Sequence, residues 1–358
     1  LSLFLQTMKS VLNGIVHSLP VMPCVDNCPG DTMTVVNVAF YGSDDLAKLL
    51  AKKNDSRDID SYVFKDTSST QTRILSLLRP LKHPESIRPL LSVLNVSSVG
   101  FIEVTKIDAA LGEVLVAMKS SGIESGVAMI NQKSESWMDP NQVRFIFQQA
   151  ELEWDIIEEP PEPHEFREKL FSLHRDREGD DGLVVPIDQR FNVQGIGVVG
   201  IGYVQSGSIK KHDQIEIVPG GNNGVVRSLQ VMDDDVEEAI TGDRVGVALR
   251  GVDDNSLGKG SLIIHHGSDL MTEVNSSTYK LNTTKFQKRI LSINDIVHAS
   301  INLQFKVGRI VGMDGELITI DWETPLVVRK DGVGVVIIVQ LDATPMRIFG
   351  TISEVSPV

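Results

Sequence analysis

In the first half of the chain, short apolar runs alternate with amphipathic stretches. An apolar run at 35–40 is followed by Gly42 and by a predicted helix at 45–53, with Ser43 or Asp44 as its N-cap. The alternation continues with predicted helices at 84–94, 111–120 and 142–150, and predicted strands at 98–104, 126–130 and 154–157. Strands that alternate with helices predict a parallel α/β sheet.

The pattern changes at 158–163, an acidic, proline-rich stretch that is typical of a domain boundary. A short connecting helix is predicted at 165–174. Beyond it the apolar runs become short and are separated by glycines. They predict two β-barrels. The strands expected in the first barrel are 183–187, 195–204, 214–218, 224–232 and 244–249; those in the second are 290–295, 295–307, 317–321, 325–328, 334–341 and 346–352.

These patterns divide the 358 residues into five parts. They are a leader or expression-derived segment at 1–32, an α/β domain at 33–160, a linker at 161–182, and barrels at 183–270 and 271–358. The leader is apolar from Leu1 to Val25, with Lys9 as its only formal charge. It lacks the basic start and small-residue cleavage site of a signal peptide, so export is only an alternative.

Composition narrows the function classes. The formal net charge of −14 argues against a protein that coats nucleic acid without specificity, although a local basic patch could still grip a tRNA. The two cysteines, Cys24 and Cys28, are too few for a disulfide framework and lack nearby histidines for a zinc site. A reducing cytoplasm is the simplest location, and we expect no membrane partner.

Several spaced motifs carry a family resemblance. In the first barrel they lie at 185–191, 195–202, 204–210, 214–217, 226–230 and 239–247, and in the second at 286–297 and 342–350. The chain from Met33 onward resembles translation factors of the elongation factor Tu and selenocysteine-specific (SelB-like) family. The resemblance implies a P-loop-GTPase-like α/β domain followed by barrels similar to domains 2 and 3 of elongation factor Tu.

The α/β domain departs from the family at its nucleotide motifs. The phosphate-binding pattern G-x-x-x-x-G-K-[ST] is met at Gly42 and Lys48. The second glycine is replaced by Ala47, and the hydroxyl that would hold magnesium by Leu49. Asp44 and Asp45 place two negative charges where phosphate would lie, and an acidic helix start with ordinary capping is the simpler interpretation of them.

Two further family motifs are altered. The pattern D-x-x-G-H corresponds to residues 79–83, which keep only His83, and we interpret this histidine as a cap or surface residue. The pattern N-K-x-D corresponds to residues 131–134, where Asn131 is kept and the base-reading aspartate is Ser134. We therefore expect a degenerate GTPase with no catalytic residue, a vestigial His83, and vestigial nucleotide-binding residues Gly42, Lys48 and Asn131. Neither GTP nor Mg²⁺ is expected as a cofactor.

The resemblance implies that the barrels bind tRNA, the ribosome or another translation factor. Phe286, Lys288 and Arg289 are the candidate RNA-binding residues, because an aromatic side chain among basic ones suits RNA. Other available cations are Arg190, Lys210, Lys211, Arg227, Lys285 and Arg309. Two alternatives stay open: a functional GTP-binding elongation factor with unusual motifs, and a regulatory module that binds proteins and no nucleic acid.

Overall fold

The computed structural model describes residues 32–68, 71–131, 137–175, 182–253, 255–332 and 334–357. Residues 1–31 of the predicted leader, with Cys24 and Cys28, and residues 132–136, with Ser134, lie outside the described residues. The α/β domain contains strands β1 (Thr32–Tyr41), β2 (Lys52–Ser56), β3 (Ile59–Thr67), β4 (Gln71–Pro80), β5 (Val99–Val104), β6 (Gly126–Ile130) and β7 (Asp155–Ile157). Its helices are α1 (Asp44–Leu50), α2 (Arg88–Leu94), α3 (Ala109–Ser120), α4 (Pro140–Gln149) and α5 (Pro163–Ser172).

The seven strands form one sheet in the order β2-β3-β4-β1-β5-β6-β7. From β4 to β7 the neighbours are parallel, whereas β2 and β3 form an antiparallel edge hairpin. The predicted parallel α/β sheet is confirmed, but the helix predicted at 45–53 ends early. Ala51 adopts an extended conformation and the chain turns directly into β2, so residues 52–56 are strand.

The first barrel is built from strands β8 (Val185–Val193), β9 (Gly197–Tyr203), β10 (Ser208–Lys210), β11 (Gln214–Val218), β12 (Asn222–Val231), β13 (Asp234–Val236), β14 (Glu238–Ile240), β15 (Arg244–Arg250) and β16 (Leu262–His265). Six of them follow the order β11-β16-β8-β9-β15-β12, and pairing of β12 with β11 closes the circle. Strand β13 extends the β12 edge, and β10 pairs with β14. Their inward side chains form one apolar core, as the glycine-separated β runs predicted.

The second barrel contains β17 (Met271–Thr283), β18 (Ile296–Ile301), β19 (Gln304–Asp314), β20 (Leu317–Arg329), β21 (Val336–Val339) and β22 (Ile348–Pro357). They close in the order β17-β20-β19-β18-β21-β22. The strand predicted at 290–295 is wrong. That segment is a loop, in which Asp295 accepts from Ser292 N–H and Asn294 has a left-handed φ of 76°. The strand predicted at 295–307 is a hairpin that turns at Asn302 and Leu303.

The α/β domain packs closely against both barrels. Apolar side chains of the second barrel, including Ile337 and Ile348, join the core of the α/β domain. Asn95, after α2, touches both barrels: its carbonyl accepts from Gln205 Nε2, and its Oδ1 accepts from Leu303 N–H at 2.8 Å. Among the described residues, no helix is both long and apolar enough to cross a membrane.

Candidate functional site

The turn after β1 is the position that the sequence motif assigned to phosphate binding. It contains only Gly42 and Ser43 before α1 begins, and the Ser43 hydroxyl caps the helix by accepting from Leu46 N–H at 3.3 Å. A Cβ at Gly42 would lie 2.6 Å from the Phe40 ring and 2.8 Å from Glu103 Cβ. Gly42 is therefore required by close packing beneath the turn, and the Ser43 cap predicted from sequence is confirmed.

A carboxylate lies directly against this turn. Glu103, near the end of β5, is 4% exposed. Its Oε2 accepts from Ser43 N–H at 2.6 Å, and its Oε1 accepts from Asn131 Nδ2 at 2.7 Å. Glu103 thus joins the turn after β1 to the residue after β6, which brings two of the predicted nucleotide-binding positions, Gly42 and Asn131, to either side of one negative charge.

Lys48, the third predicted position, binds the carboxylate that follows the turn. It is 55% exposed and forms an ion pair with Asp44 one helical turn earlier. Hydrogen bonds from Lys48 and from the Tyr62 hydroxyl lower the pKa of Asp44 below its usual range. The lysine is therefore engaged by the first residue of its own helix.

A second buried carboxylate, Asp60 on β3, organises the polar groups beside the turn. Asp60 is 2% exposed and contacts Lys53 Nζ at 3.0 Å, Arg79 at 3.2 Å and the Tyr62 hydroxyl at 3.2 Å. Burial alone would raise its pKa, but hydrogen bonds from Ser56 and Lys53 lower it. Arg79 also donates from Nε to the Gly42 carbonyl at 2.6 Å, so this cation braces the turn from the other side.

His83 is not the cap or surface residue that the sequence suggested. Its side chain is completely buried, and its Nε2 lies 3.0 Å from Glu113 Oε2. Its ring packs edge-on against Tyr41 with centroids 5.5 Å apart. The prediction was wrong because the second barrel covers this part of the α/β domain, which a local sequence pattern does not reveal.

Glu113, on α3, links the two domains. It accepts from Arg347 N–H at 2.9 Å and from Arg347 Nε at 3.0 Å, and its second oxygen contacts the Arg347 guanidinium as well as His83. Burial would raise the pKa of Glu113, but hydrogen bonds from His83 and Arg347 lower it to about 2. The Glu113–Arg347 ion pair and the His83 imidazole form a buried polar cluster, which we call the interdomain triad.

The candidate RNA-binding residues lie on the loop between β17 and β18. Phe286 is 36% exposed, and Lys285 Nζ lies 5.4 Å from its ring centroid. Arg289 pairs with Asp342 at 2.9 Å, whereas Lys288 has no ion pair with any described residue. The three residues are near each other in sequence and accessible, and their role in RNA binding stays a prediction.

Most other candidate cations already have partners in the protein. Lys210 and Lys211 pair with Glu238 and Glu237, Lys285 pairs with Glu151, and Arg227 and Arg309 donate to backbone carbonyls. His265 lies 3.4 Å from Asp213, and His266 contacts Asn223. Within the described ranges, no group of three or more histidine, cysteine or acidic residues could hold a metal ion.

Sequence reasoning missed Glu103 and Asp60, and it did not find Glu113 and Arg347 as the partners of His83. Glu103 offered a signal, since it is the only charged residue in the apolar strand 99–104. Glu113 is likewise the one acidic residue of helix α3, and it lies among buried apolar residues. A buried acid in an apolar element needs a partner, and this requirement is the clue that could have found both residues.

Comparison with known proteins gives one family model and several relatives. Residues 197–264 match the model described as elongation factor Tu domain 2. An uncharacterized protein of Methanocaldococcus jannaschii is 27% identical over 274 residues, covering 76% of this chain and 85% of that protein. The selenocysteine-specific elongation factor of the same organism is 31% identical over 166 residues, which are 46% of this chain but only 35% of that factor.

Solved structures show the same fold. Translation elongation factor SelB from Methanococcus maripaludis, in complex with a GTP analogue, has a TM-score of 0.71 at 19% identity, covering 91% of this chain and 80% of SelB. A bacterial selenocysteine-specific elongation factor has a TM-score of 0.70 at 18% identity, covering 90% of this chain and 58% of that protein. The α/β domain and two barrels are thus arranged as in these factors.

Proposed function

We infer that this chain, which belongs to the elongation factor Tu and SelB-like family, acts without hydrolysing GTP. It is a translation elongation factor-like protein, and we propose that its barrels bind tRNA, a ribosomal element or another translation factor. The observation that carries the proposal is the hydrogen bond from Ser43 N–H to Glu103. This hydrogen bond supports the view that the protein's own carboxylate occupies the position where a nucleotide phosphate would bind.

Electrostatics favours this interpretation. A phosphate that approached Gly42 and Ser43 would meet the negative charges of Glu103 and Asp44, and like charges at short range repel strongly in a partly buried site. Displacing Glu103 would break its hydrogen bonds to Ser43 and Asn131 and leave a buried carboxylate unsatisfied. The free energy of nucleotide binding would have to exceed both costs.

The residues that would hold Mg²⁺ do not fit the ion. Mg²⁺ requires oxygen ligands, and Leu49 offers none where the family motif has a hydroxyl. At the position of the family's switch aspartate stands Arg79, a cation that already contacts Asp60 and the Gly42 carbonyl. Lys48, which would neutralise a terminal phosphate, is paired with Asp44. The proposed function therefore involves neither GTP nor Mg²⁺.

Calorimetric titration of the purified protein with GTP and GDP, each with Mg²⁺, tests the nucleotide part of the proposal. We expect no saturable binding at micromolar nucleotide. The matched variant is Lys48→Ala, which should fold normally because Lys48 is exposed. Micromolar binding that this variant weakens by about tenfold or more would establish a working phosphate site and overturn the proposal.

The partner class is tested separately. Titration with aminoacylated and uncharged tRNA at two salt concentrations reports phosphate contacts, because each contact makes affinity fall with salt. Salt-dependent binding that Lys288→Ala weakens would support an RNA partner through the second barrel. If no tRNA binds even at low salt, the remaining partners are a ribosomal element or another translation factor.

A further inference from the structure

The second barrel has an open cleft at one end. The loop between β17 and β18 and the β19–β20 hairpin enclose a volume of about 640 Å³. Its floor is formed by the buried side chains of Leu291, Ile318 and Phe349. These residues belong to the core of the barrel, so a ligand in the cleft would extend that core outward.

Apolar side chains stand exposed at this end of the barrel. Ile290 is 84% exposed and Met313 is 40% exposed, and both line the cleft. Segments 286–293 and 311–317 carry six of the twelve large apolar side chains that are exposed among the described residues: Phe286, Ile290, Ile293, Val311, Met313 and Leu317. A concentration of exposed apolar groups marks an interaction surface rather than ordinary scatter.

The charges around the cleft are mainly positive. Lys280, Lys288 and Arg289 line it, against one carboxylate, Glu316. Lys280 is held by Glu316 at 3.2 Å and Arg289 by Asp342 at 2.9 Å, which leaves Lys288 available. In a chain with a net charge of −14, the available charge of Lys288 at this rim favours a carboxylate of a partner.

The side chains favour a protein over RNA at this place. RNA bases bind by stacking on exposed aromatic or guanidinium planes. Within the cleft the aromatic residue is Phe349, which is 1% exposed, and the guanidinium of Arg289 is ion-paired. The exposed apolar side chains that line the cleft, Ile290 and Met313, are aliphatic, whereas the exposed ring of Phe286 does not line it. Aliphatic groups suit the apolar face of an amphipathic helix.

We propose that this cleft binds an amphipathic segment of a partner protein, with aliphatic side chains against Ile290 and Met313 and carboxylates facing Lys288. The inference names the chemistry of a partner and goes beyond the proposed function. It does not depend on the nucleotide site, because the cleft lies wholly within the second barrel.

The test uses a fluorescently labelled peptide designed as an amphipathic helix, with leucines on one face and glutamates on the other. Fluorescence anisotropy with the full chain should show saturable binding. Ile290→Asp and Lys288→Glu should each weaken it by about tenfold or more, since one places a charge against the apolar face and the other repels the glutamates. Neither change should disturb folding, because both side chains are exposed.

The matched control is Phe145→Asp, which places the same charge on an exposed residue of α4 in another domain. Its affinity for the peptide should equal that of the unaltered chain. Equal weakening by all three substitutions, or no saturable binding, would overturn the proposal. Two other results would also overturn it: an oligoribonucleotide that competes with the peptide, or sedimentation showing self-association that Ile290→Asp abolishes.

Discussion

Glu113 in helix α3 and Arg347 just before β22 form a buried, two-point ion pair that joins the α/β domain to the second barrel. The side chains of Glu113 and Arg347 are 2% and 7% exposed, and His83 completes the interdomain triad. Every charge in this cluster has a partner, as a buried ion pair requires. The orientation of these two domains is therefore fixed in part by side chains of the protein itself.

Removal of one member of this pair should strongly destabilise the protein. Glu113→Ala leaves the Arg347 guanidinium buried without a counter-ion, which typically costs about 3–5 kcal/mol. Urea unfolding followed by tryptophan fluorescence measures the loss. As a control, Glu316→Ala removes the exposed Lys280–Glu316 pair and should cost less than about 1 kcal/mol. Comparable losses in the two variants would contradict the assigned role of Glu113.

A paired apolar replacement should restore much of that stability. In the double variant Glu113→Leu/Arg347→Met no charge is left buried, and such exchanges are often close to neutral. We expect the double variant to be more stable than Glu113→Ala by about 2 kcal/mol or more. If it were equally unstable, the triad would matter through its shape rather than through its charges.

Acid should weaken this connection in a defined pH range. The pKa of Glu113 is lowered from its ordinary value of 4.5 to about 2, so the folded state binds the proton less tightly than the unfolded state. Its contribution, about 3 kcal/mol, is present above pH 4.5 and is lost as the pH falls toward 2. Unfolding of the unaltered chain and of Glu113→Gln between pH 7 and 3 should show a steeper acid loss for the unaltered chain. Parallel curves would refute the assignment.

Asp243 should have the opposite pH dependence. It is 2% exposed, its Oδ2 accepts from Ile240 N–H, and its Oδ1 has no hydrogen-bond partner among the described residues. Burial raises the pKa of Asp243 from 3.8 to about 6. The folded state therefore holds the proton more tightly, and this stabilisation is lost as the pH rises through 6.

The measurement is the stability difference between the unaltered chain and Asp243→Asn at several pH values. Asparagine does not titrate, so the difference should shift by about 2 kcal/mol in favour of the variant between pH 4 and pH 7. Asp253→Asn, which removes an exposed carboxylate, serves as a control and should leave the pH profile unchanged. A constant difference for Asp243→Asn would show that its pKa is ordinary.

Two glycines in the α/β sheet should not tolerate a methyl group. Trp154 lies across Gly100 on β5 and Gly126 on β6, and a Cβ at Gly100 would lie 2.0 Å from the indole ring. We expect Gly100→Ala to destabilise the protein by about 1–3 kcal/mol through overpacking. Gly112→Ala on α3 has no atom within 4 Å of its new Cβ and should instead stabilise the helix by up to about 1 kcal/mol.

Thermal unfolding of these two variants separates packing from backbone effects. If Gly100→Ala acts through Trp154, then Trp154→Leu in the same chain should recover part of the loss, because the smaller side chain leaves room for the methyl group. Absence of any such coupling would mean that the glycine is needed for another reason.

The fold was largely predictable because its signals are local and periodic. The apolar strands 98–104 and 126–130 and the glycine-separated barrel strands lie close to their predicted positions. Strand predictions failed where a turn interrupts a run of apolar residues. The segment 290–295 has apolar residues at 290, 291 and 293 but bends at Asn294, which adopts a left-handed conformation that the apolar pattern does not encode.

The position of the candidate site was predictable from the sequence, but the buried side chains that fill it were not. Motif spacing correctly indicated that Gly42 and Asn131 belong to one place, at the carboxyl ends of β1 and β6. The motif did not include Glu103, which lies on another strand 60 residues after Ser43 and meets it only in the folded chain. The burial of His83 depends on the second barrel, more than 250 residues further on, and no local pattern could show it.

The position of Glu103 has a consequence for any attempt to rebuild a phosphate-binding loop in this chain. Restoring the motif letters with Ala47→Gly and Leu49→Ser would alter α1 alone and leave the strand β5 carboxylate facing the same amide. The acid and the loop are encoded in separate segments, so they would have to be changed together. A rebuilt site would first need a small residue in place of Glu103 on β5, so that a phosphate could reach the Ser43 amide.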